Sequence, residues 1–170
     1  VKGVQCHKLL WWSVHEPDAP ELQPDKALKD RFDQGQEVGQ LATAEFPGGV
    51  LIDLPHDAVE ERISQTRSAL AGGAPAVFEA TFVEDNTFVA VDILERRPEG
   101  FHLIEVKSST IQKPEHIPDV AIQLHVVGKS GLDVTRASVM HLNRDFRSPD
   151  LGDRFLTTDV TRDAAEYEPD

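Results

Sequence analysis

Three ionisable residues stand where apolar strands are expected. Asp92 is the one acid in the run Phe88–Leu94 (FVAVDIL), and Glu105 and Lys107 close the run Phe101–Lys107 (FHLIEVK). Charge on a buried strand is costly unless it is paired or bound to a cation. Residues two apart on a strand share a face, so Glu105 and Lys107 project together. The turn-like segment RRPEG, residues 96–100, makes the two runs a hairpin. That hairpin sets Asp92 opposite residue 104 or 105, and a slip of one residue reverses its face. Two carboxylates and an ammonium gathered at one strand end suit a particular chemistry. The carboxylate oxygens are ligands for Mg²⁺ or Mn²⁺. Such a cation lowers the pKa of a bound water and offsets charge building on a phosphoryl group. Lysine, a compact and mobile charge, orients the water or steadies the phosphate. The competing reading is an ordinary surface Glu–Lys pair, which is common and weak. Placement at the end of an apolar strand, with an aspartate on the strand before it, favours the site.

The elements needed to position these groups can be read from the pattern. Asp25 is a cap for a helix through KALKDRFDQGQEVGQLATAEF, with Leu28, Phe32, Val38 and Leu41 near one face. Gly35 and Gly39 weaken that helix, and their spacing is read as room for close backbone packing. VLIDL is a short strand, and HDAVEERISQTRSALAGG is a second amphipathic helix stopped by Gly72 and Gly73. Strands follow over Ala76–Val83, Thr87–Leu94 and Phe101–Val106, with turns at EDN and RRPEG. A helix is expected from about Pro118 to Gly128 or Gly131, then a last strand over VTRASVMHL. Strands joined by tight turns and then by a helical crossover predict an α/β fold with a mixed central sheet flanked by helices.

The chain has 170 residues and suits one domain, expected over 1–148. Residues 149–170 are expected to be an acidic tail, with seven acids and two bases between Asp150 and Asp170, and the start of a further region. The first residue is Val1 rather than Met, which fits a piece of a longer protein. No apolar run approaches the roughly 18 residues of a membrane span, and the start does not read as a signal segment, so a cytoplasmic protein is expected. A net charge of −13 argues against a broad non-specific grip on phosphate backbones. The charge is uneven, however: from Glu105 to Ser148 there are six bases against five acids, where a polyanion could dock. The single cysteine, Cys6, excludes a disulfide framework and a Cys-rich zinc site. His7, His15, His56, His102, His116, His125 and His141 show no paired metal spacing. Trp11 and Trp12 are read as packing residues rather than base-stacking ones.

The stretch VDILERRPEGFHLIEVKSS resembles the core motif of the PD-(D/E)XK nuclease superfamily: an aspartate, a turn, then Glu-x-Lys. DVAIQLHVV places Gln123 where RecB-like and CRISPR-associated adaptation nucleases carry a glutamine motif. The resemblance runs from about Cys6 to Phe146 and is greatest to an uncharacterised RecB-like bacterial family with a CxKLLWW start and a late HLN segment, here His141–Asn143. It implies a restriction-endonuclease-like αβββαβ core and metal-dependent hydrolysis of DNA phosphodiester bonds. It implies Asp92, Glu105, Lys107 and Gln123 as catalytic residues, and Asp92, Glu105 and the Val106 carbonyl as ligands of Mg²⁺ or Mn²⁺. The family's metal-binding histidine, four residues after a helical glycine, falls on Gly39 here. Glu79 is the substitute from the preceding strand, with Glu37 a weaker one. The tyrosine of the glutamine motif is Val127. Related enzymes hold an iron–sulfur cluster on four cysteines; with Cys6 alone, none is expected here. DNA, single-stranded included, is the implied partner, with a helicase or other nuclease-system domain in a longer protein. RNA as substrate stays open, as does a degenerate nuclease fold that binds nucleic acid or a protein partner without cleaving.

Overall fold

A computed structural model of the chain describes residues 6–23, 26–147 and 153–167. Among the described residues, six strands form one mixed sheet in the order β1-β2-β3-β4-β5-β6, which follows the chain. They are β1 (Val50–Leu51), β2 (Ala76–Glu84), β3 (Thr87–Arg97), β4 (Gly100–Lys107), β5 (Val134–Leu142) and β6 (Phe155–Asp159). The helices are α1 (His7–His15), α2 (Lys26–Thr43), α3 (Val59–Ala71), α4 (Ile117–Lys129) and α5 (Thr161–Ala165). The chain divides into two units, Val1–Glu37 and Val38–Asp170.

Antiparallel hairpins join β2 to β3 and β3 to β4, while β1–β2 and β4–β5 are parallel. The parallel pair β4–β5 needs a crossover, and α4 supplies it. Both hairpins are made by residues suited to tight turns. Asp85 and Asn86 take positive φ, 48° and 61°, between β2 and β3. Such a two-residue turn matches the twist of its strands. Arg97 pairs with Gly100 across the second turn. Gly100 has φ of 141°, and a Cβ there would lie 2.6 Å from the Asp133 carbonyl oxygen. Gly100→Ala is therefore expected to cost about 2 kcal/mol through backbone strain and this clash; urea unfolding would show it as a lower midpoint.

On one face of the sheet, α3, α4 and α5 cover Val77, Val91, Leu94, Leu103 and Val139. The helices bury Val120, Val126 and Val127 there, and each fully buried aliphatic side chain contributes about 1.5–3 kcal/mol. On the other face, Val38 and Ala42, in the last turns of α2, meet Ala76, Phe78, Ile93, Ile104 and Met140. Leu41, expected on the apolar face of α2, is exposed instead, because Val38 and Ala42 take the inward positions. The Asp25 cap and the Leu28 and Phe32 side chains lie outside the described residues. A Cβ at Gly35 or Gly39 would meet nothing within 4 Å, so among the described residues these glycines serve no close backbone packing.

The segment after residue 152 corrects the expected acidic tail. Phe155–Asp159 pairs with β5 from Leu142 back to Ser138, and Phe155, Val160 and Ala164 are buried. Its acids sit at turns and edges: Asp159 accepts from the amide and hydroxyl of Thr161 and pairs with Arg136.

In the first unit, α1 buries no residue, and Trp11 is 49% exposed. The expected packing role does not hold for it. Lys8 Nζ lies 4.5 Å from the centroid of the Trp12 ring, and Cys6 is exposed. Among the described residues, no helix is long and apolar enough to cross a membrane.

Candidate active site

The site forms where the sheet forks. β3 pairs with β4 only over Ile93–Arg97 against Gly100–Ile104. Beyond that, β3 continues along β2 to Thr87, and β4 continues along β5 to Lys107. One step past the last pair, Ile93 with Ile104, the register sets Asp92 against Glu105. Of the two registers left open by the sequence, the two-residue turn selects this one. The Val106 amide is left beyond the end of the ladder, and the Asp92 Oδ2 carboxylate oxygen accepts its hydrogen bond at 2.7 Å. A ladder amide deprived of a strand partner needs such an acceptor.

α4 packs antiparallel to β4 at this point and contributes the other half of the site. Glu105 is 8% exposed, and its two oxygens accept from two donors: Oε1 from Lys107 Nζ at 2.7 Å and Oε2 from Gln123 Nε2 at 2.6 Å. Lys107 Nζ also donates to Asp119 Oδ2 at 2.9 Å. Residues two apart on a strand are about 6.6 Å apart, and residues four apart on a helix rise about 6 Å. Glu105 and Lys107 therefore match Gln123 and Asp119 as side-by-side tethers. Gln123 is 7% exposed, and its Oε1 is buried without a hydrogen-bond partner among the described residues. Such an orphan acceptor is uncommon in a folded protein, and a bound water or ion is one way of satisfying it. Burial opposes the charge on Lys107, but the carboxylates of Glu105 and Asp119 outweigh it and hold the lysine pKa above its ordinary value. Lys107 is thus an ammonium at neutral pH, a hydrogen-bond donor rather than a base.

Glu79 reaches the same fork from β2 in an unusual way. Its φ is 56°, and the β2–β3 ladder steps from Phe78–Ile93 to Ala80–Val91 past it. Val77 and Ala80 lie three apart yet enter the same core cluster, as do Leu94 and Val91. A regular strand would send them to opposite faces, so the sheet changes face at Glu79 and Asp92. Left-handed backbone at a residue other than glycine costs about 1–3 kcal/mol. Arg62 of α3 holds it: the guanidinium donates to the Glu79 carbonyl at 3.2 Å and pairs with Glu79 Oε2 at 3.3 Å. The same buried guanidinium donates to Thr81 Oγ1 and to the Leu54 carbonyl.

Burial raises the Asp92 pKa well above the carboxylate range, and the nearby charges of Glu105 and Glu79 add to it. The folded chain therefore holds this proton more tightly than the unfolded chain. Its favourable contribution is full below the ordinary carboxylate pKa and is lost as pH rises through the raised folded value. Asp92→Asn keeps an acceptor for the Val106 amide and removes the repulsion. It is expected to raise stability at pH 7 in chelator by about 1 kcal/mol. A denaturation midpoint at or below that of the wild type would refute the crowded-carboxylate account.

The donor set can be tested for a hard divalent cation. Among the described residues no group of three His, Cys, Asp or Glu side chains is arranged to hold a metal. Glu79 leans to Arg62, which leaves Asp92, Glu105 and the adjoining Val106 backbone. Mg²⁺ commonly binds through one or two carboxylates plus waters and substrate phosphates. Asp92 and Glu105, set opposite each other by the register and beside an orphan amide oxygen, fit that demand.

The structure therefore brings Asp92, Glu105, Val106, Lys107 and Gln123 to one fork, with Glu79 at its edge but engaged by Arg62. Glu37 is an exposed residue of α2. Val127, at the tyrosine position, is wholly buried in the core under α4. His125 is exposed. His102 lies in a row of side chains, Glu95–His102–Ser138, with contacts of 3.3 and 2.9 Å. Ser138 is completely buried, and this row ties β3, β4 and β5 together. Sequence reasoning passed over Asp119 and Arg62. Asp119 carried a usable signal: it stands four residues before Gln123, on the same helix face. No family model, curated protein or solved structure matches the chain.

Proposed function

We propose that this chain is a metal-dependent nuclease that hydrolyses DNA phosphodiester bonds on a restriction-endonuclease-like core. The observation that carries the reading is the fork itself: Asp92 faces Glu105 in register, and Glu105 and Lys107 leave one strand end together. The element order α3-β2-β3-β4-α4-β5 is the αβββαβ order of that core. Asp92, Glu105 and the Val106 carbonyl would hold Mg²⁺ or Mn²⁺. Bound there, the cation supplies Lewis-acid neutralisation of phosphoryl charge and lowers the pKa of water. Lys107, kept as an ammonium, donates to the attacking water or to a non-bridging phosphate oxygen. Gln123 fixes the Glu105 carboxylate through Nε2 and leaves its buried Oε1 to accept from a bound water. The reading extends to a cytoplasmic protein working beside a helicase or another nuclease-system domain.

A second reading, a nuclease-like fold that binds DNA or a protein partner without cleaving, is favoured by the diversion of Glu79 to Arg62. One experiment separates them. Full-length chain is incubated with single-stranded and duplex DNA and with RNA, each with Mg²⁺, Mn²⁺ or chelator. Cation-dependent DNA cleavage supports the first reading. DNA binding unchanged by chelator, with no cleavage, supports the second.

A further inference from the structure

The geometry points to Asp119 as the positioning residue for the Lys107 ammonium, a role that deepens the nuclease reading and rests on it. Lys107 carries the longest flexible stem in the site, and an unrestrained ammonium would spend its time in water. Glu105 cannot hold it alone, because that carboxylate is also the candidate metal ligand and its other oxygen is taken by Gln123. Asp119 comes from a different element and approaches Nζ at 2.9 Å, against 2.7 Å for Glu105. The ammonium is thus fixed between two carboxylates on two elements, only one of which is on the metal side. If Glu105 turns toward a cation, Asp119 keeps Lys107 in place, with its remaining protons free for water or phosphate.

Placement supports the role. Asp119 stands in the first turn of α4, after Pro118, where the helix dipole favours a carboxylate. Pro118 fixes the entry to the helix and so fixes the height of the carboxylate above β4. Gln123, one turn on, tethers Glu105 from the same helix face. One rigid helix thereby sets the positions of both neighbours on the strand. A purely structural role, completing the helix terminus, would leave the chemical step untouched.

The test uses the full chain with Asp119→Asn, Asp119→Glu and the wild type, in Mn²⁺ with linear DNA. Asp119→Asn keeps the size and the first-turn acceptor but loses the charge. The expected result is a fall in kcat of about tenfold to hundredfold, KM within about twofold, and partial recovery of kcat in Asp119→Glu. A wild-type kcat in Asp119→Asn, or a loss carried by KM, overturns the role. A second measurement does not depend on cleavage. In protein labelled with ¹⁵N-lysine, the side-chain NH₃⁺ signal that disappears in Lys107→Ala is expected to be sharp in the wild type and broadened in Asp119→Asn. An unaltered signal overturns the assignment even if the wild type cleaves nothing, in which case the nuclease reading falls separately.

Discussion

On the proposed nuclease reading, Lys107→Ala is expected to lower the rate of cation-dependent DNA cleavage by about 10³-fold, the upper range for losing one preorganised donor to a developing charge. Lys107 is the one cation whose nitrogen lies within hydrogen-bond distance of Glu105 among the described residues. Its pKa is raised by the two carboxylates despite the burial that opposes charge, so it stays an ammonium through the neutral range. A group held in that state cannot take a proton from water. Its contribution is to donate hydrogen bonds and to offset the negative charge of Glu105, Asp119 and an arriving phosphate. Lys107→Arg is expected not to restore the rate. The planar guanidinium keeps the charge but cannot reproduce a compact tetrahedral donor between two carboxylates. Single-turnover rates of the three proteins, with circular dichroism to verify folding, make the comparison. Retention of more than about a tenth of wild-type activity in Lys107→Ala would remove the lysine from the chemistry.

Arg62→Met should have the largest effect on stability, a loss of about 3 kcal/mol. The guanidinium is 2% exposed and is satisfied by five acceptors: the Thr81 hydroxyl, the Ile52, Leu54 and Glu79 carbonyls and the Glu79 carboxylate. Methionine fills much of the volume, so the loss reports the stranded acceptors more than a cavity. The Glu79 side chain is 38% exposed and can turn to water, which limits its share. The Leu54 and Glu79 carbonyls are fixed in the backbone and partly buried, so they carry more of the loss. The strained backbone at Glu79 also loses its restraint, so the effect should reach the fork. Urea denaturation reads the stability directly, and a change below about 1 kcal/mol would show that the arginine is replaceable. Glu79→Gln, which keeps an acceptor for Arg62, is expected to stay within about 1 kcal/mol of the wild type.

Much of the sheet was legible in the chain, because apolar runs and tight-turn residues are short-range signals. The strands expected over Ala76–Val83, Thr87–Leu94 and Phe101–Val106 lie inside β2, β3 and β4. The register of Asp92 was not, since it depends on whether the turn uses two residues or three. Arg62 was illegible for another reason. On an amphipathic helix an arginine looks like a solvated residue, and its acceptors, at Leu54, Glu79 and Thr81, come together only in the folded chain. Glu79 itself gives no local sign of positive φ, which asparagine or glycine would have done. β6 was missed because FLTTD is short, half polar and set among acids, so it resembles a loop until β5 is there to pair with it. Asp119 was hidden by an ordinary role, the acid of a helix first turn.

That last strand has a consequence for how the molecule comes into being. During synthesis β5 leaves the ribosome first and presents a bare row of amides and carbonyls until Phe155–Asp159 follows. Docking of β6 moves that open edge from the nine residues of β5 to the five of β6, a shorter template for pairing with another chain.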